Sequence, residues 1–229
     1  MQVEIVETKE GLESLPGVVV VLDIFRASNT LVALLSAGAA EVVLFADLQA
    51  AYALKKQNPD LLLFGERKGL PPEGFDGGNS PTAACRLPLD GRTVIFTTSA
   101  GTQAVHRLRQ AQTVFFASFA NARALTEAVQ SLAPEKVHLL PMGFRAQEPA
   151  AEDSQAAIYL QGCLRGDPPN FSGIKERLLN CAGADRLRRL GQEDDLAFCT
   201  TLDSHQLVPV VNYQKYPAAR AWAAKCPRK

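Results

Sequence analysis

The sequence predicts an α/β protein with three layers, in which a mostly parallel or mixed sheet lies between helices. Short apolar segments rich in Val, Leu and Phe recur along the chain at intervals too long for hairpins. The segments between them have helical spacing, and strands that are apolar on both faces are typical of sheets covered by helices. The length of 229 residues is compatible with one large domain or two intimately packed α/β subdomains.

The apolar segments and the periodic segments between them define the elements of this sheet. Strands are predicted at 18–22, 41–45, 61–64, 93–96, 113–116 and 137–140. Helices are predicted at 30–36, 48–56, 102–110, 121–132 and 151–164.

Two segments rich in Gly and Pro interrupt the alternation. Residues 65–81, GERKGLPPEGFDGGNSP, contain five Gly and three Pro and predict a long ordered loop, a feature that is often functional in compact domains. Residues 166–173, GDPPNFSG, mark the end of an α/β body over residues 1–165. The remaining part, 166–229, is expected to be helical at 174–179, 187–190 and 194–202, with a short strand at 207–211.

The composition narrows the classes of function. With 24 basic and 24 acidic residues the formal net charge is zero, which argues against binding to nucleic acid through a basic surface. Charges throughout the first residues argue against an export signal, and no apolar run is long enough to span a membrane. The five cysteines contain no C-x-x-C pair, so reduced thiols in a cytoplasmic protein are expected, without a structural zinc.

The end of the chain is basic and contains no acid. This stretch is interpreted as a solvated tail. Its basic residues are Lys215, Arg220, Lys225, Arg228 and Lys229.

Polar residues follow the first predicted strand in the segment LDIFRASNT. Asp23 ends the strand, and Arg26, Ser28, Asn29 and Thr30 lie at the start of a helix. Ser28 or Asn29 alone would be explained as a helix N-cap. The combination with Asp23 and Arg26 favours an anion-binding site, because the helix N-terminus and the guanidinium both attract negative charge.

A second polar segment, FTTSAGT, joins a predicted strand to a helix. Its hydroxyls belong to Thr97, Thr98, Ser99 and Thr102, and Gly101 permits a turn that directs backbone N–H groups towards one point. Helix capping would account for one of these hydroxyls, so a phosphate cradle is predicted. The chain has no G-x-x-x-x-G-K-[ST] motif, which argues against ATP or GTP use.

Acidic residues lie at two further strand or helix ends. Glu66 and Arg67 follow the strand at 61–64, and Glu152 with Asp153 opens the helix at 151–164. Acids in a first helical turn are favoured by the helix dipole alone. Together with Asp23, however, they supply the oxygen ligands that Mg²⁺ prefers.

Several other hydrolase chemistries are excluded by particular residues. The sequence lacks the D-x-D of haloacid-dehalogenase-type phosphatases, the C-x5-R of cysteine phosphatases and a G-x-S-x-G elbow. The histidines His106, His138 and His205 are far apart, and core or surface positions are expected for them.

The motifs DIFRASNT, GERKGLPPEGFDGGNSP, TTSAGT, SFANA and EDSQAA, in this order, resemble those of the 2-phosphosulfolactate phosphatase family. The resemblance covers roughly residues 18–160 and resumes weakly at 195–209. It implies one domain of this kind over residues 1–229, and Mg²⁺-dependent hydrolysis of (2R)-2-phosphosulfolactate to sulfolactate and phosphate, a step in coenzyme M biosynthesis.

Roles are carried over from the family for the matching positions, and the remaining polar neighbours are added as candidates. Catalytic roles are expected for Asp23, Arg26, Glu66 and Arg67, and metal binding for Asp23, Glu66, Glu152 and Asp153. The expected substrate-binding residues are Ser28, Asn29, Thr30, Asn79, Ser80, Thr98, Ser99, Gly101, Thr102 and Asn121. The chain departs from the family pattern at Asn29, Ala100 and Ala156, and Ala100 replaces an Asn beside the expected phosphate site.

Alternatives to this reaction stay open on the sequence. Mg²⁺ would polarise the phosphoryl group while one carboxylate acts as base, but Asp23 or Ser28 could instead be a nucleophile. The substrate could be another small phosphorylated hydroxy acid, or the chain could bind phosphorylated or sulfonated acids without turnover. A homodimer is the general expectation for the oligomeric state.

Overall fold

The computed structural model describes residues 1–6, 10–144, 148–213 and, as backbone, 219–225. The strands are β1 (Gln2–Ile5), β2 (Val18–Leu22), β3 (Glu41–Leu44), β4 (Leu62–Gly65), β5 (Thr93–Thr97), β6 (Thr113–Ala117), β7 (Lys136–Pro141), β8 (Leu207–Asn212) and β9 (Ala219–Lys225). The helices are α1 (Ala27–Ser36), α2 (Leu48–Gln57), α3 (Pro81–Ala84), α4 (Gly101–Arg107), α5 (Ala122–Leu132), α6 (Ala151–Arg165), α7 (Phe171–Leu179), α8 (Ala182–Arg189) and α9 (Asp194–Cys199).

The strands form one mixed sheet in the order β1-β7-β2-β6-β8-β9-β3-β5-β4. It contains two parallel blocks, one of β1, β7, β2 and β6 and the other of β3, β5 and β4. The antiparallel pair β8–β9 lies between them and bonds to β6 on one side and β3 on the other. The predicted α/β class is therefore confirmed.

Strand β2 shows why the sheet needs helices on both faces. All its residues are buried, and they alternate between two apolar clusters. Val19 and Val21 pack with residues of α1 and α4, whereas Val18, Val20 and Leu22 pack with residues of α5 and α6. An uninterrupted apolar strand thus stabilises two helix layers at once.

Helix α1 is apolar from Leu31 to Leu35, and all its residues from Ala27 to Leu35 are buried. A helix of this kind has to lie inside the protein. It packs against α3 and against β3, β6 and β8. This burial determines where the polar residues at its start are placed.

Most predicted elements are found with small shifts at their ends, but α8 begins five residues before the predicted 187–190, and the short helix α3 and two strands were missed. Helix α1 begins earlier than expected, at Ala27, because Ser28, Asn29 and Thr30 are helical, and α4 ends earlier, at Arg107. Strand β1 is short and half polar, and its polar residues hid it. The interpretation of the C-terminus as a solvated tail is wrong for 219–225, which forms β9; Lys215, Arg228 and Lys229 lie outside the described residues.

The C-terminal part is joined closely to the α/β body. The expected boundary coincides with the end of α6, where Gly166 adopts a left-handed conformation with φ 83°. Three helices follow, α7 to α9, and then β8 and β9 complete the middle of the sheet. The two parts therefore share one sheet, and the C-terminal part contributes two strands rather than one.

Candidate active site

A cavity of about 410 Å³ lies where strands of both parallel blocks end. Residues that come shortly after β2, β4, β5 and β7 line it. Ligands of open α/β sheets bind outside the carboxyl ends of the strands, and the polar segments after the predicted strands lie at this edge. The charged lining residues are Asp23, Arg26, Glu66, Arg67, Lys68, Glu152, Asp153 and Arg186.

Asp23 follows β2 directly and is only partly exposed. Its Oδ1 accepts a hydrogen bond from the backbone N–H of Ala27 at 3.2 Å. Burial of this carboxyl, together with the negative charges of Glu66 and Glu152, raises the pKa of Asp23 to about 6. A carboxyl that titrates this close to neutrality is suited to accept a proton during catalysis.

Asp153, in the first turn of α6, joins the ends of two strands. Its Oδ1 accepts from the backbone N–H of Ile24 at 2.8 Å, and its Oδ2 accepts from that of Gly143 at 2.8 Å. Burial and the charges of Asp23 and Glu152 nevertheless raise the pKa of Asp153 well above its usual range. The dipole of α6 alone therefore does not explain this acid.

Glu66 holds two loops in place through both carboxylate oxygens. Oε1 accepts from the backbone N–H of Ser99 at 2.8 Å, and Oε2 accepts from that of Gly69 at 2.8 Å. Hydrogen bonds from backbone donors fix such a carboxylate in one orientation. Glu66 thus shapes the cavity wall as well as contributing a charge to it.

Glu152 lies beside helix α8. Its Oε2 accepts from the Cys181 thiol at 3.5 Å, and its Oε1 is 3.7 Å from Nη2 of Arg186. A Cβ atom added at Gly183 would lie 2.3 Å from Glu152 Oε1, so only glycine leaves room for the carboxylate in this position.

Arg26 forms a buried ion pair with Asp195, which was not among the predicted site residues. Its Nη1 is 2.6 Å from Oδ2 of Asp195, and both side chains are 2% exposed. Its Nη2 also donates to the carbonyl of Gly69 at 3.1 Å. The other oxygen of Asp195 accepts from the Ser80 hydroxyl at 2.7 Å and from the N–H of Thr82 at 3.1 Å. The pair therefore connects α1, α3, α9 and the loop after β4.

Arg67 is held at the cavity by two hydrogen bonds. Nη1 donates to the carbonyl of Glu66 at 2.6 Å, and Nη2 donates to Oγ1 of Thr97 at 2.9 Å. The guanidinium has donors beyond these two bonds, since it carries five N–H groups.

The segment FTTSAGT is used mainly to organise the start of α4. The Oγ1 of Thr102 donates to the carbonyl of Thr98 and accepts from its N–H, at 2.9 and 3.1 Å. Thr97 accepts from Arg67, which leaves Ser99 as the hydroxyl residue of this segment that lines the cavity. The hydroxyls of Thr98 and Thr102 are thus used locally, although neither caps α4, whose N-cap is Ala100. Gly101 lies beside Asp23, since a Cβ there would be 3.4 Å from Oδ2.

Several other predicted substrate-binding residues do not line the cavity. The Ser28 hydroxyl is buried and bonds the Asp23 N–H and the Val21 carbonyl, so it is not placed to act as a nucleophile. Asn29 donates to the Ile24 carbonyl, and Thr30 is also fully buried in α1. Four predicted residues are thus buried away from the cavity: Ser28, Asn29, Thr30 and Asn121. Among the described residues, the Thr30 hydroxyl and Oδ1 of Asn29 have no hydrogen-bond partner. The Asn121 amide accepts from the Ser118 N–H and donates to the Leu207 carbonyl, so it is bonded just past the end of β6 and does not line the cavity. Ser80 does not line the cavity either, and its hydroxyl donates to Asp195.

The cavity is lined by one further predicted residue, Asn79, and by residues that the sequence did not indicate. The Oδ1 atom of Asn79 has no hydrogen-bond partner among the described residues. Lys68, Phe144 and Arg186 also line it. Lys68 lies within the matched segment GERKGLPPEGFDGGNSP but was not among the candidates, and Arg186 belongs to a helix outside every matched motif. Only the weak match beginning at Asp195 pointed to the C-terminal helices.

The acids provide suitable donors for a divalent cation but do not form a ready-made metal cage. Within residues 1–6, 10–144 and 148–213, no three His, Cys, Asp or Glu side chains form a group that could hold a metal ion. Mg²⁺ typically binds through one or two carboxylates together with water and substrate phosphate, which requires no such group. Burial and the neighbouring carboxylates raise the pKa values of Asp23 and Asp153, and a bound cation would favour their ionised forms. The donor set therefore fits Mg²⁺ bound together with a phosphorylated ligand.

Comparison with known proteins decides the family. The model of the 2-phosphosulpholactate phosphatase family matches residues 5–214. The chain belongs to this family. A protein of Deinococcus radiodurans named "Probable 2-phosphosulfolactate phosphatase" is 33% identical over 211 residues, covering 86% of this chain and 88% of the relative. Proteins of the same name from Thermotoga petrophila and Thermus thermophilus are 32% and 33% identical, each covered over 88% of its length.

Membership of the 2-phosphosulfolactate phosphatase family makes the chain a phosphoric monoester hydrolase. The match extends past the motifs, which end near residue 160, and includes the helices that carry Arg186 and Asp195. Among the described residues, no helix combines the length and the apolar character needed to cross a bilayer.

Proposed function

We propose that the chain is a Mg²⁺-dependent phosphatase that hydrolyses 2-phosphosulfolactate to sulfolactate and phosphate. The observation that carries the proposal is the cavity, in which four carboxylates and four cationic side chains meet at the strand ends. Carboxylates suit a metal ion and proton transfer, and the cations suit a substrate with several negative charges. The names of the relatives support this substrate.

Asp23 is the proposed general base. Its pKa of about 6 keeps it largely ionised at neutral pH while leaving it basic enough to take a proton from water. The structure records no hydrogen bond from a described residue to Oδ2, the oxygen beside Gly101. As water attacks phosphorus, its proton passes to Asp23, the P–O bond to the hydroxy acid breaks, and the departing oxygen takes a proton from solvent.

Glu152 and Asp153 would hold Mg²⁺ together with the phosphate of the substrate. Bound there, the ion supplies charge neutralisation and polarises the phosphoryl group. Each oxygen of Asp153 accepts one backbone N–H bond and keeps a second lone pair. The Gly183 position, which has no Cβ, leaves Glu152 its place beside α8.

Arg67 is the proposed phosphate ligand among the cations. Two of its donors hold it to Glu66 and Thr97, and the remaining donors are available to phosphate oxygens. Arg26 is 2% exposed and paired with Asp195, so it acts mainly by fixing the cavity wall. We place this reaction in coenzyme M biosynthesis, as the family resemblance implies. We place it in the cytoplasm, a compartment that the free cysteines among the described residues support. A homodimer remains the expected oligomeric state.

The test is phosphate release from 2-phosphosulfolactate with Mg²⁺, with EDTA, and in two variants. Glu152→Gln removes a proposed metal ligand, and Glu127→Gln on the exposed face of α5 removes the same charge away from the cavity. We expect turnover with Mg²⁺, loss of it with EDTA and in Glu152→Gln, and normal turnover in Glu127→Gln. Full activity in EDTA or in Glu152→Gln would contradict the metal assignment, and binding of the substrate without any release of phosphate would indicate a binding protein.

A further inference from the structure

The four cationic side chains of the cavity are not equally available to a ligand. Arg26 is paired with Asp195 and bonded to the Gly69 carbonyl, and Arg67 is bonded to Glu66 and Thr97. Lys68 has no recorded hydrogen bond or ion pair within the described part of the chain. Among the described residues, the ion pair of Arg186 is a loose one, at 3.7 Å from Glu152. Lys68 and Arg186 are therefore the cations with the most unused capacity for an anion.

Lys68 is held at the tip of a tight hairpin. Arg67 and Leu70 exchange both backbone hydrogen bonds, at 2.9 and 3.3 Å, and Lys68 and Gly69 between them have φ angles of 59° and 86°. Positive φ at both central residues is the type I′ pattern, which disfavours a side chain such as lysine by roughly 1–2 kcal/mol. Strain of this kind is often found at ligand sites, where the surrounding structure enforces it.

The hairpin tip is fixed from two sides. The Gly69 N–H donates to Glu66 Oε2 at 2.8 Å, and the Gly69 carbonyl accepts from Arg26 at 3.1 Å. These bonds connect the hairpin tip to Glu66 and Arg26, which both line the cavity. Lys68 consequently lines the cavity from a backbone that has little freedom to turn away.

Arg186 approaches the same region from helix α8. It lies one turn before Leu190, and residues four apart share a helix face. Leu190 contacts the hairpin, because a Cβ added at Gly69 would be 2.8 Å from Leu190 Cδ1. The guanidinium of Arg186 stacks on the Phe144 ring, 4.8 Å from its centroid, which limits its orientations. Lys68 and Arg186 thus belong to adjoining walls of one cavity.

We propose that Lys68 and Arg186 form a second anion subsite, which binds the sulfonate of the substrate while the carboxylates and Arg67 handle the phosphate. This inference rests on the proposed function and deepens it. The acids around the phosphate repel any further negative group, so a substrate with a sulfonate needs separate cations for it. The subsite selects phosphorylated acids that carry this extra charge over those that lack it.

The test compares two substrates that differ only in the sulfonate. 2-Phosphosulfolactate carries it, and 2-phospholactate has a hydrogen in its place. Lys68→Asn removes the charge but keeps the turn, since Asn tolerates positive φ, and Arg186→Gln removes the second charge. Lys68→Arg keeps the charge and serves as the matched control.

We expect each neutral variant to lower kcat/KM for 2-phosphosulfolactate by about tenfold or more, because the loss of a charged hydrogen bond typically has this effect. The change should arise mainly from a higher KM. The loss on 2-phospholactate should be smaller by at least about fivefold, and Lys68→Arg should retain the preference. Equal losses on both substrates, or no loss on either, would overturn the subsite.

Calorimetric titration separates this outcome from a failure of the proposed function. Sulfolactate and lactate are titrated into the wild-type protein and the Lys68→Asn variant with Mg²⁺, where no turnover is needed. Tighter binding of sulfolactate than lactate in the wild type, reduced in the variant, supports the subsite even if no substrate is hydrolysed. Equal affinity for the two acids in the wild type would refute the subsite even in an active phosphatase.

Discussion

Replacing Asp23 by Asn should abolish catalysis and yet stabilise the protein at neutral pH. The native state raises the pKa of Asp23 from 3.8 to about 6, by burial and by the charges of Glu66 and Glu152. The ionised carboxylate is therefore less favourable in the folded than in the unfolded chain. Asn keeps an oxygen that can accept the Ala27 N–H, so the start of α1 is preserved while the charge is removed.

The magnitude follows from the shift. A difference of about two pKa units corresponds to about 3 kcal/mol, at 1.36 kcal/mol per unit. Because the folded pKa is the higher one, the stability contributed by the protonated Asp23 is fully present below about pH 4. It is lost as the pH rises through about 6. The variant should therefore match the wild type near pH 4 and exceed its stability by up to about 3 kcal/mol at pH 8.

Urea unfolding in EDTA between these two pH values measures this difference without metal binding. The Asp60→Asn variant removes a charge from an exposed position and controls for the change in net charge. Phosphate release with Mg²⁺ shows whether the same substitution abolishes turnover. A variant that is less stable than the wild type at pH 8, or a stability difference that does not change with pH, would refute the reasoning about Asp23.

Two further predictions concern the walls of the cavity. Asp195→Asn leaves the buried guanidinium of Arg26 without its partner and should lower the unfolding free energy by about 3–5 kcal/mol in urea denaturation; a loss below about 1 kcal/mol would show that the pair is not needed. Gly183→Ala places a Cβ 2.3 Å from Glu152 Oε1 and should reduce kcat/KM strongly. Its melting temperature should change little, because better helix propensity, worth up to about 1 kcal/mol, offsets the clash. Wild-type kinetics in this variant would mean that the position of Glu152 is unimportant.

The sheet was predictable because the local composition of most of its strands indicates strand structure. Segments such as VVVVL have no other stable place than between two helix layers, and residues just after such strands were found in the cavity. Strand β9 was not predictable in this way, since ARAWAAK consists mainly of Ala and basic residues, which are uncommon in strands, and gains its place through pairing with β8 and β3. Long-range pairing of this kind leaves little trace in the local sequence.

Site residues were predictable where they follow a strand directly. They were not predictable where their position depends on contacts with residues far away in the sequence. Ser28 and Asn121 are typical candidates by residue type, but burial of α1 and local capping use their polar atoms inside the fold. The partners Arg26 and Asp195, in contrast, are 169 positions apart. No periodicity or spacing connects two residues at that separation, and only the folded chain shows that they meet.

This separation has a consequence for how the site is assembled. A buried ion pair contributes little net stability, but either member alone is costly. Arg26 can therefore be buried beside the cavity only when α9 has packed with Asp195 against it. The same packing brings α8, with Arg186 and Gly183, against the hairpin tip and Glu152. It follows that the acids after β2 and in α6 acquire their final environment only when the C-terminal helices are in place. Arg186 of α8 then lowers the pKa of Asp23, against the larger raising effect of burial.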